Sequence, residues 1–428
     1  MALKGNVAVN RILRLLVAAF VLQAIIARAA PLPEASPEDV GLSSGRLARL
    51  TATLTTAIES GELPGAVIMI ARDGKLVYSQ ALGWQDKAAN VRMREDAIFR
   101  IYSMTKPIVS VAAMTLVERG QLSLDDPVSK YIPAFSDMKV SVEPGGEAGT
   151  AQPVLVDARR PITVQDLLRH TSGLTYQMRG PQTEAKRLYK QANIFSQHWM
   201  LENFANALAA LPLQHQPGTT WEYGHSTDIL GRVVEVAAGM PLDRYLQQEV
   251  FDPLGMKDSA FRVAPDKQDR IAEPIPDKYT GKTPTLIDVR NPVTFFAGGH
   301  GLTSTAGDYL RFSQMLLGGG ELDGVRVLGP KTVRYIASNH LDETISKGDD
   351  FIAGPGYGFG LGFATRLEYG QSNWPASIGE FYWGGYAGTY FWIDPEENLV
   401  VSYMSVEPLR RQHYRVLLRN LVYQSIIE

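Results

Sequence analysis

The stretch Phe99-Arg100-Ile101-Tyr102-Ser103-Met104-Thr105-Lys106-Pro107 decides how this chain is read. It holds a Ser-x-x-Lys tetrad, Ser103 to Lys106, and the apolar run from Ile108 to Glu118 predicts a helix directly after it. Ser103 then stands at the start of that helix. Lys106 follows one turn on, and residues three apart share a helix face. Hydroxyl and amine point into the same space, the amine can take the hydroxyl proton, and the helix N-terminus favours nearby negative charge. The tetrad is common by chance, and a second copy exists at Ser136-Asp137-Met138-Lys139. That copy follows Pro133 and runs into a β-branched and glycine-rich segment, residues 140–149, with no helix to align its two side chains. It reads as a loop.

Outward from Ser103, strand signals gather toward both ends of the chain. On the N-terminal side, Ala66-Val67-Ile68-Met69-Ile70-Ala71 is a buried strand by composition, Asp73-Gly74 a hairpin turn and Lys75 to Gln80 the returning strand. Leucines 47, 50 and 54, with Ser43 and Ser44 before them, predict a capped helix ahead of that hairpin. On the C-terminal side, Phe381 to Ile393 and Leu399 to Met404 read as strands joined at Asp394-Pro395, and residues 409–427 as a closing helix. The glycine alternation from Gly356 to Phe363 lacks a following Gly-Lys-Ser/Thr, which argues against a phosphate loop and for a strand closely approached by other backbone. Between these ends the pattern is mainly helical: Thr163 to Leu168 with a capping box, residues 181–210, Thr227 to Ala238, and Pro241 to Phe251. The expectation is an α+β fold: an antiparallel sheet built from residues 31–115 and 290–428, flanked by helices, with a predominantly helical domain, residues 116–289, inserted.

Composition excludes several classes. A net charge of −3 and 45% apolar residues describe a globular chain with no electrostatic call for nucleic acid. The absence of cysteine removes disulfides, thiolate metal sites and a cysteine nucleophile, and the seven histidines form no His-Glu-x-x-His helix, so neither a metal nor a cofactor is expected. No Gly-x-Ser-x-Gly elbow surrounds any serine. Lys4, Arg11 and Arg14 precede the apolar run Leu15 to Ile26, and Ala27-Arg28-Ala29 offers a cleavage site. Residues 1–29 are therefore expected to be a cleaved signal peptide. The mature protein is expected to be exported, periplasmic or secreted, without stable membrane association.

Four segments occur in an order that resembles the serine β-lactamase and penicillin-binding-protein superfamily. They are the Ser103 stretch, Leu167-Leu168-Arg169-His170-Thr171-Ser172-Gly173-Leu174, Tyr223-Gly224-His225 and Trp383-Gly384-Gly385. The resemblance is closest to class C β-lactamases and the family VIII carboxylesterases, and covers nearly everything after Pro37. It implies the β-lactamase/transpeptidase-like form of the α+β fold and selects Ser103 over Ser136. It further implies a catalytic group of Ser103, Lys106 and Tyr223, with the backbone N–H groups of Ser103 and Tyr386 as the oxyanion pair. His225, Trp383, Gly384 and Gly385 are expected to contact substrate. Two departures narrow the chemistry. The family's Tyr-x-Asn has histidine at position 225, and its Lys-Thr-Gly has Trp383 where a lysine holds the β-lactam carboxylate. An indole supplies an N–H and an apolar face but no cation. The resemblance thus implies a serine carboxylesterase acting on neutral, short-chain small-molecule esters, with weak β-lactam hydrolysis left open. The alternatives are a class C-type β-lactamase or D-alanyl-D-alanine carboxypeptidase, and a non-catalytic scaffold that retains the fold.

Overall fold

The computed structural model describes residues 31–142, 153–194 and 199–427. The expected signal peptide, most of the glycine-rich segment after Ser136-Lys139 and a few residues of the 181–210 region lie outside them.

Among the described residues the first helix, α1 (Ser44–Glu59), opens on Ser43, whose side chain accepts from the Arg46 N–H, and buries Leu47, Leu50 and Leu54. The strands β1 (Gly65–Arg72), β2 (Lys75–Asp86) and β3 (Val91–Arg92) follow. Asp73 and Gly74 both take positive φ, as a two-residue hairpin turn requires. After the nucleophile helix α2 (Thr105–Glu118) come α3 (Val164–Leu168), α4 (Glu184–Ala192), α5 (Leu201–Ala209), α6 (Ser226–Ala238) and α7 (Ala306–Leu317). The chain then supplies β4 (Tyr357–Phe359), β5 (Ala364–Arg366), β6 (Phe381–Gly384), β7 (Tyr390–Asp394) and β8 (Leu399–Ser405), and closes with α8 (Arg411–Tyr423).

Strands from both ends join in one antiparallel eight-stranded sheet, ordered β4-β5-β6-β7-β8-β1-β2-β3. The seam is β1 against β8, with Ile68 opposite Tyr403 and Ile70 opposite Val401. Every residue of β1 and β8 is buried, which requires cover on both faces and explains their continuous apolar composition. Helix α7 packs on β8 and β1, while α1 packs on α8 and β2. Residues Leu32–Glu428 form one compact unit.

Helix α2 carries the reactive tetrad and is buried from Thr105 to Leu116. A helix apolar all round belongs inside a protein, and α2 lies against α6. The Ser136-Lys139 tetrad has a different fate. Ser136 ends a short 3-10 turn and Lys139 opens a strand, so the two share no helical face.

Behind the sheet, Arg419 and Glu380 form a fully buried ion pair. Arg419 Nε donates to Tyr390 Oη at 2.9 Å and Tyr357 Oη donates to Glu380 at 2.9 Å. Removing one partner of a buried pair strands the other. Arg419→Met is expected to cost about 3–5 kcal/mol, read from the urea midpoint of the purified protein. A shift below about 1 kcal/mol would mean that Glu380 is satisfied without the arginine.

Candidate active site

Ser103 lies on a 3-10 turn, Tyr102–Met104, that leads straight into α2. Tyr102, the residue before it, has φ +44°, a left-handed conformation that a bulky side chain adopts only under constraint. The constraint is visible. Tyr102 Oη accepts from the Ile287 N–H at 2.9 Å, and its ring meets that of Tyr386 edge-on with centroids 5.4 Å apart. The turn leaves Ser103 partly exposed and sends Lys106 inward, where it is 1% exposed.

Lys106 Nζ donates to the Gly299 carbonyl at 2.7 Å and to Tyr176 Oη at 3.3 Å. It also lies 4.6 Å from the centroid of the Tyr223 ring. The Ser103-Lys106 tetrad and Tyr223 therefore meet around one amine, together with Tyr176 and Gly299, to which the sequence assigned no role. Ser103 and Lys106 are not hydrogen-bonded to each other; catalytic hydrogen bonds of this kind commonly close only once substrate is present.

Tyr223 stands in an aromatic box. Trp221 stacks on it at 5.8 Å, His170 lies at 5.0 Å, Tyr176 at 5.5 Å and Trp383 at 5.5 Å between centroids. Trp383 Nε1 donates to Tyr223 Oη at 3.3 Å. The indole, expected to face substrate, is 3% exposed and its N–H is used to orient the tyrosine. At this end of β6 the exposed residues are Gly384, in part, and Tyr386, at 46%. Between them, Gly385 packs against the Ile101 carbonyl, bringing the end of β6 onto the turn that carries Ser103.

His225 lies deeper in the protein than a substrate contact would. It is fully buried, packed edge-on against Tyr176 with centroids 4.5 Å apart, and its Nδ1 lies 3.1 Å from Asp228 Oδ2. The expected substrate contact is replaced by a structural one at the first turn of α6. Asp228 is the hub there. Its Oδ1 accepts the Gly299 N–H at 2.8 Å, and His300 Nδ1 lies 3.7 Å away. Burial pushes the Asp228 carboxyl up, but the His225 hydrogen bond and the charges of His300, His225 and Lys106 outweigh it and leave it at about 2. The carboxylate thus holds Gly299, the residue whose carbonyl accepts from Lys106. The spacing His225-x-x-Asp228 was the local signal for this pair, and Gly298-Gly299-His300-Gly301 the signal for a loop approached closely by other groups.

Tyr176 was the harder residue to find. It follows the glycine turn after α3, and only Gly224 brings it to the site. A Cβ on Gly224 would lie closer than 3.0 Å to the Leu174 and Thr175 backbone, so the bare glycine lets the two tyrosine-bearing segments touch. Thr175 Oγ1 donates to Glu222, tying the same segments together one residue from each tyrosine. Burial, then the Asp228 charge, hold the Tyr176 phenol well above its usual range, so it stays neutral beside Lys106. Burial and the Lys106 charge likewise keep His170 neutral; it ends α3 with φ +59°, as its place at a helix end implied.

Asp228 acts on the amine only through Gly299. Asp228→Ala is expected to lower kcat by about 10²-fold, the usual cost of misplacing a reacting group by an ångström, with little change in KM. An unaltered kcat in folded variant protein would show that the Gly299 peptide is held without the carboxylate.

Among the described residues no group of three or more histidine, aspartate or glutamate side chains is placed to hold a metal ion. No helix among them is long and apolar enough to cross a membrane.

Known proteins resemble this chain over most of its length. The profile of the Beta-lactamase family matches residues 50–419. Protein Rv1367c of Mycobacterium tuberculosis is 37% identical over 369 residues, covering 82% of this chain and 88% of its own. Esterase EstB of Burkholderia gladioli is 32% identical over 374 residues, covering 83% and 88%. Among solved structures, EstCE1, described as a hydrolase with promiscuous acyltransferase activity, superposes with a TM-score of 0.74 at 26% identity, over 89% of this chain and 99% of its own. With the profile spanning most of its length, and relatives above 30% identity matched nearly end to end, the chain belongs to the Beta-lactamase family and is a serine hydrolase.

Proposed function

We propose that this protein is an exported carboxylesterase that hydrolyses short-chain carboxylic esters through an acyl-enzyme on Ser103. The observation that carries the reading is the sealed environment of Lys106. A buried amine, hydrogen-bonded to Tyr176 and Gly299 and lying on the Tyr223 ring, sits one helical turn from a partly exposed serine. An esterase relative and an esterase-like solved structure support the same chemistry.

The steps follow from this geometry. Ser103 Oγ attacks the ester carbonyl as its proton passes to the Lys106–Tyr223 pair, whose two members share the role of base. The carbonyl oxygen gains the negative charge and is held by the Ser103 and Tyr386 backbone N–H groups. Each such donor is worth about 10²–10³ in rate. The alcohol leaves with the proton returned to it. Water then attacks the acyl-enzyme, giving up a proton to the same pair; as the bond between the acyl carbon and Ser103 Oγ breaks, the pair passes that proton to Oγ and the carboxylic acid is released. A second alcohol in place of water would give acyl transfer by the same steps. Tyr223 Oη already receives the Trp383 N–H, which fixes its orientation in both half-reactions.

The test is side-by-side turnover of p-nitrophenyl butyrate and a chromogenic cephalosporin. The ester is expected to be turned over faster, and the reverse order would assign a β-lactamase instead. A fluorophosphonate probe followed by mass spectrometry is expected to place its adduct on Ser103. Folded protein without an adduct would indicate a scaffold. Export rests on residues 1–29, and N-terminal sequencing of protein recovered outside the cytoplasm should begin near Ala30.

A further inference from the structure

Two lysines are buried among the described residues, Lys106 and Lys186. The second has no part in the steps given above. It lies on α4, 2% exposed; its Nζ stands 3.1 Å from Glu222 Oε1 and donates to the Arg179 carbonyl at 2.8 Å. Glu222 immediately precedes Tyr223, and Arg179 lies three residues after Tyr176. One buried amine therefore ties the two tyrosine-bearing segments through their chain neighbours. The other, Lys106, meets the tyrosine side chains themselves, at 3.3 Å from Tyr176 Oη and 4.6 Å from the Tyr223 ring centroid.

Glu222 is the point where the tie closes. It is 7% exposed, and its Oε1 takes both the Lys186 amine and the Thr175 hydroxyl, while His215 Nε2 lies 3.5 Å from its Oε2. Burial pushes this carboxyl up, but the His215 and Thr175 bonds and the Lys186 charge outweigh it and leave it below the ordinary carboxylate range, so it is an anion. One oxygen thus fixes the residue before Tyr176 against the residue before Tyr223. Helix α4 braces the far side as well. Tyr189, three residues after Lys186 and on the same helix face, stacks on His225 with ring centroids 6.2 Å apart, so residues 222 and 225 are both held, on either side of Tyr223. Docking α4 does not by itself call for buried ions, since the helix also buries Ala185 and Tyr189, and packed apolar side chains serve that purpose as well or better.

We infer that Lys186 and Glu222 are positioning residues for the reaction, a buried ion pair that sets the spacing of Tyr176 and Tyr223 about Lys106. The inference rests on the reading of Ser103 as nucleophile with Lys106 and Tyr223 as its base, and deepens it. Neither residue touches substrate; both act through the tyrosines. Without Lys186 the carboxylate is solvated only by turning toward His215, whose side chain is 31% exposed. That turn draws Thr175 with it, and Tyr176 away from Lys106.

The test separates placement from stability. Lys186→Met, the double variant Lys186→Met with Glu222→Gln, and Thr175→Val are each followed by steady-state kinetics on p-nitrophenyl butyrate and by a urea titration. Lys186→Met strands a buried carboxylate and is expected to lose stability together with about 10²-fold in kcat, with KM little changed. In the double variant no buried charge is left unpaired. Its urea midpoint is expected to return toward wild type while kcat stays about tenfold low or lower. A kcat that returns with the midpoint makes the pair merely structural and overturns the inference, as does an unaltered kcat in folded Lys186→Met. Thr175→Val keeps both ions and removes only the hydroxyl that joins the segments, so it decides the matter if the lysine variants do not fold. A fall of about tenfold in kcat at constant KM supports the inference, and no fall overturns it. If wild-type protein turns over no ester, the reading of Ser103 fails separately. The pair is then judged from the crystal structure of Thr175→Val: a Lys106 Nζ to Tyr176 Oη separation lengthened from 3.3 Å supports it, and an unaltered one overturns it.

Discussion

Ser103→Ala and Lys106→Ala are each expected to abolish ester turnover, by about 10⁴–10⁶-fold, since members of a nucleophile–base unit fail nearly as completely alone as together. The two losses have different origins. Removing the Ser103 hydroxyl deletes the atom that bonds to the acyl carbon, on a partly exposed turn, and stability should hardly change. Removing Lys106 deletes a buried amine with two hydrogen bonds, to Gly299 and Tyr176. Its partners are then left facing a small void, and a stability cost of about 1–3 kcal/mol should accompany the lost activity. Steady-state kinetics on p-nitrophenyl butyrate, with a urea titration of each variant, measures both. Retention of substantial activity in either variant would mean that another serine is acylated or that the proton takes another route. Ser136→Ala is the control. Ser136 stands on a 3-10 turn remote in kind from any helix carrying Lys139, so no loss is expected.

Gly385→Ala is expected to have the next largest effect. A Cβ there would come closer than 3.0 Å to both Thr389 Oγ1 and the Ile101 carbonyl oxygen. The threonine could rotate, but Ile101 is backbone, two residues before Ser103, and its carbonyl is already engaged, accepting the Met104 N–H at 3.0 Å. The end of β6 must therefore move away from the nucleophile turn. The Tyr386 N–H moves with it, which should cost about 10²–10³ in kcat, the value of one oxyanion donor. Overpacking of this kind also destabilises by about 1–3 kcal/mol. A variant with unaltered kcat but lowered stability would place the second oxyanion donor elsewhere than Tyr386.

The site was legible to different depths. Tyr223 and the Trp383-Gly384-Gly385 strand were legible through the family resemblance, and the structure brings Tyr223 to Lys106 and Trp383 to Tyr223. His225 and Trp383 were read by analogy with residues that face substrate. Here each is turned to hold a neighbour, His225 on Asp228 and Trp383 on Tyr223. The i, i+3 relation of His225 and Asp228 is local and was available in the sequence. The Trp383–Tyr223 contact spans 160 residues and was not. Arg415 illustrates the same limit: its place on the closing helix is plain, but that its guanidinium reaches the Gly385 carbonyl, 30 residues back in the chain, depends on how that helix packs.

The amino-acid sequence alone determined the elements whose geometry is local. These are the hairpin at Asp73-Gly74 and the mostly apolar helix after Ser103, both set by backbone periodicity within a few residues. It also separated the two Ser-x-x-Lys tetrads, because only one precedes a helix. Only the tertiary structure decided what surrounds the amine. Tyr176 reaches Lys106 across 70 residues and the Gly299 carbonyl across 193. Such contacts form when whole elements pack, and packing is decided by the shape and burial of every surface involved at once, so no short stretch of the chain contains them.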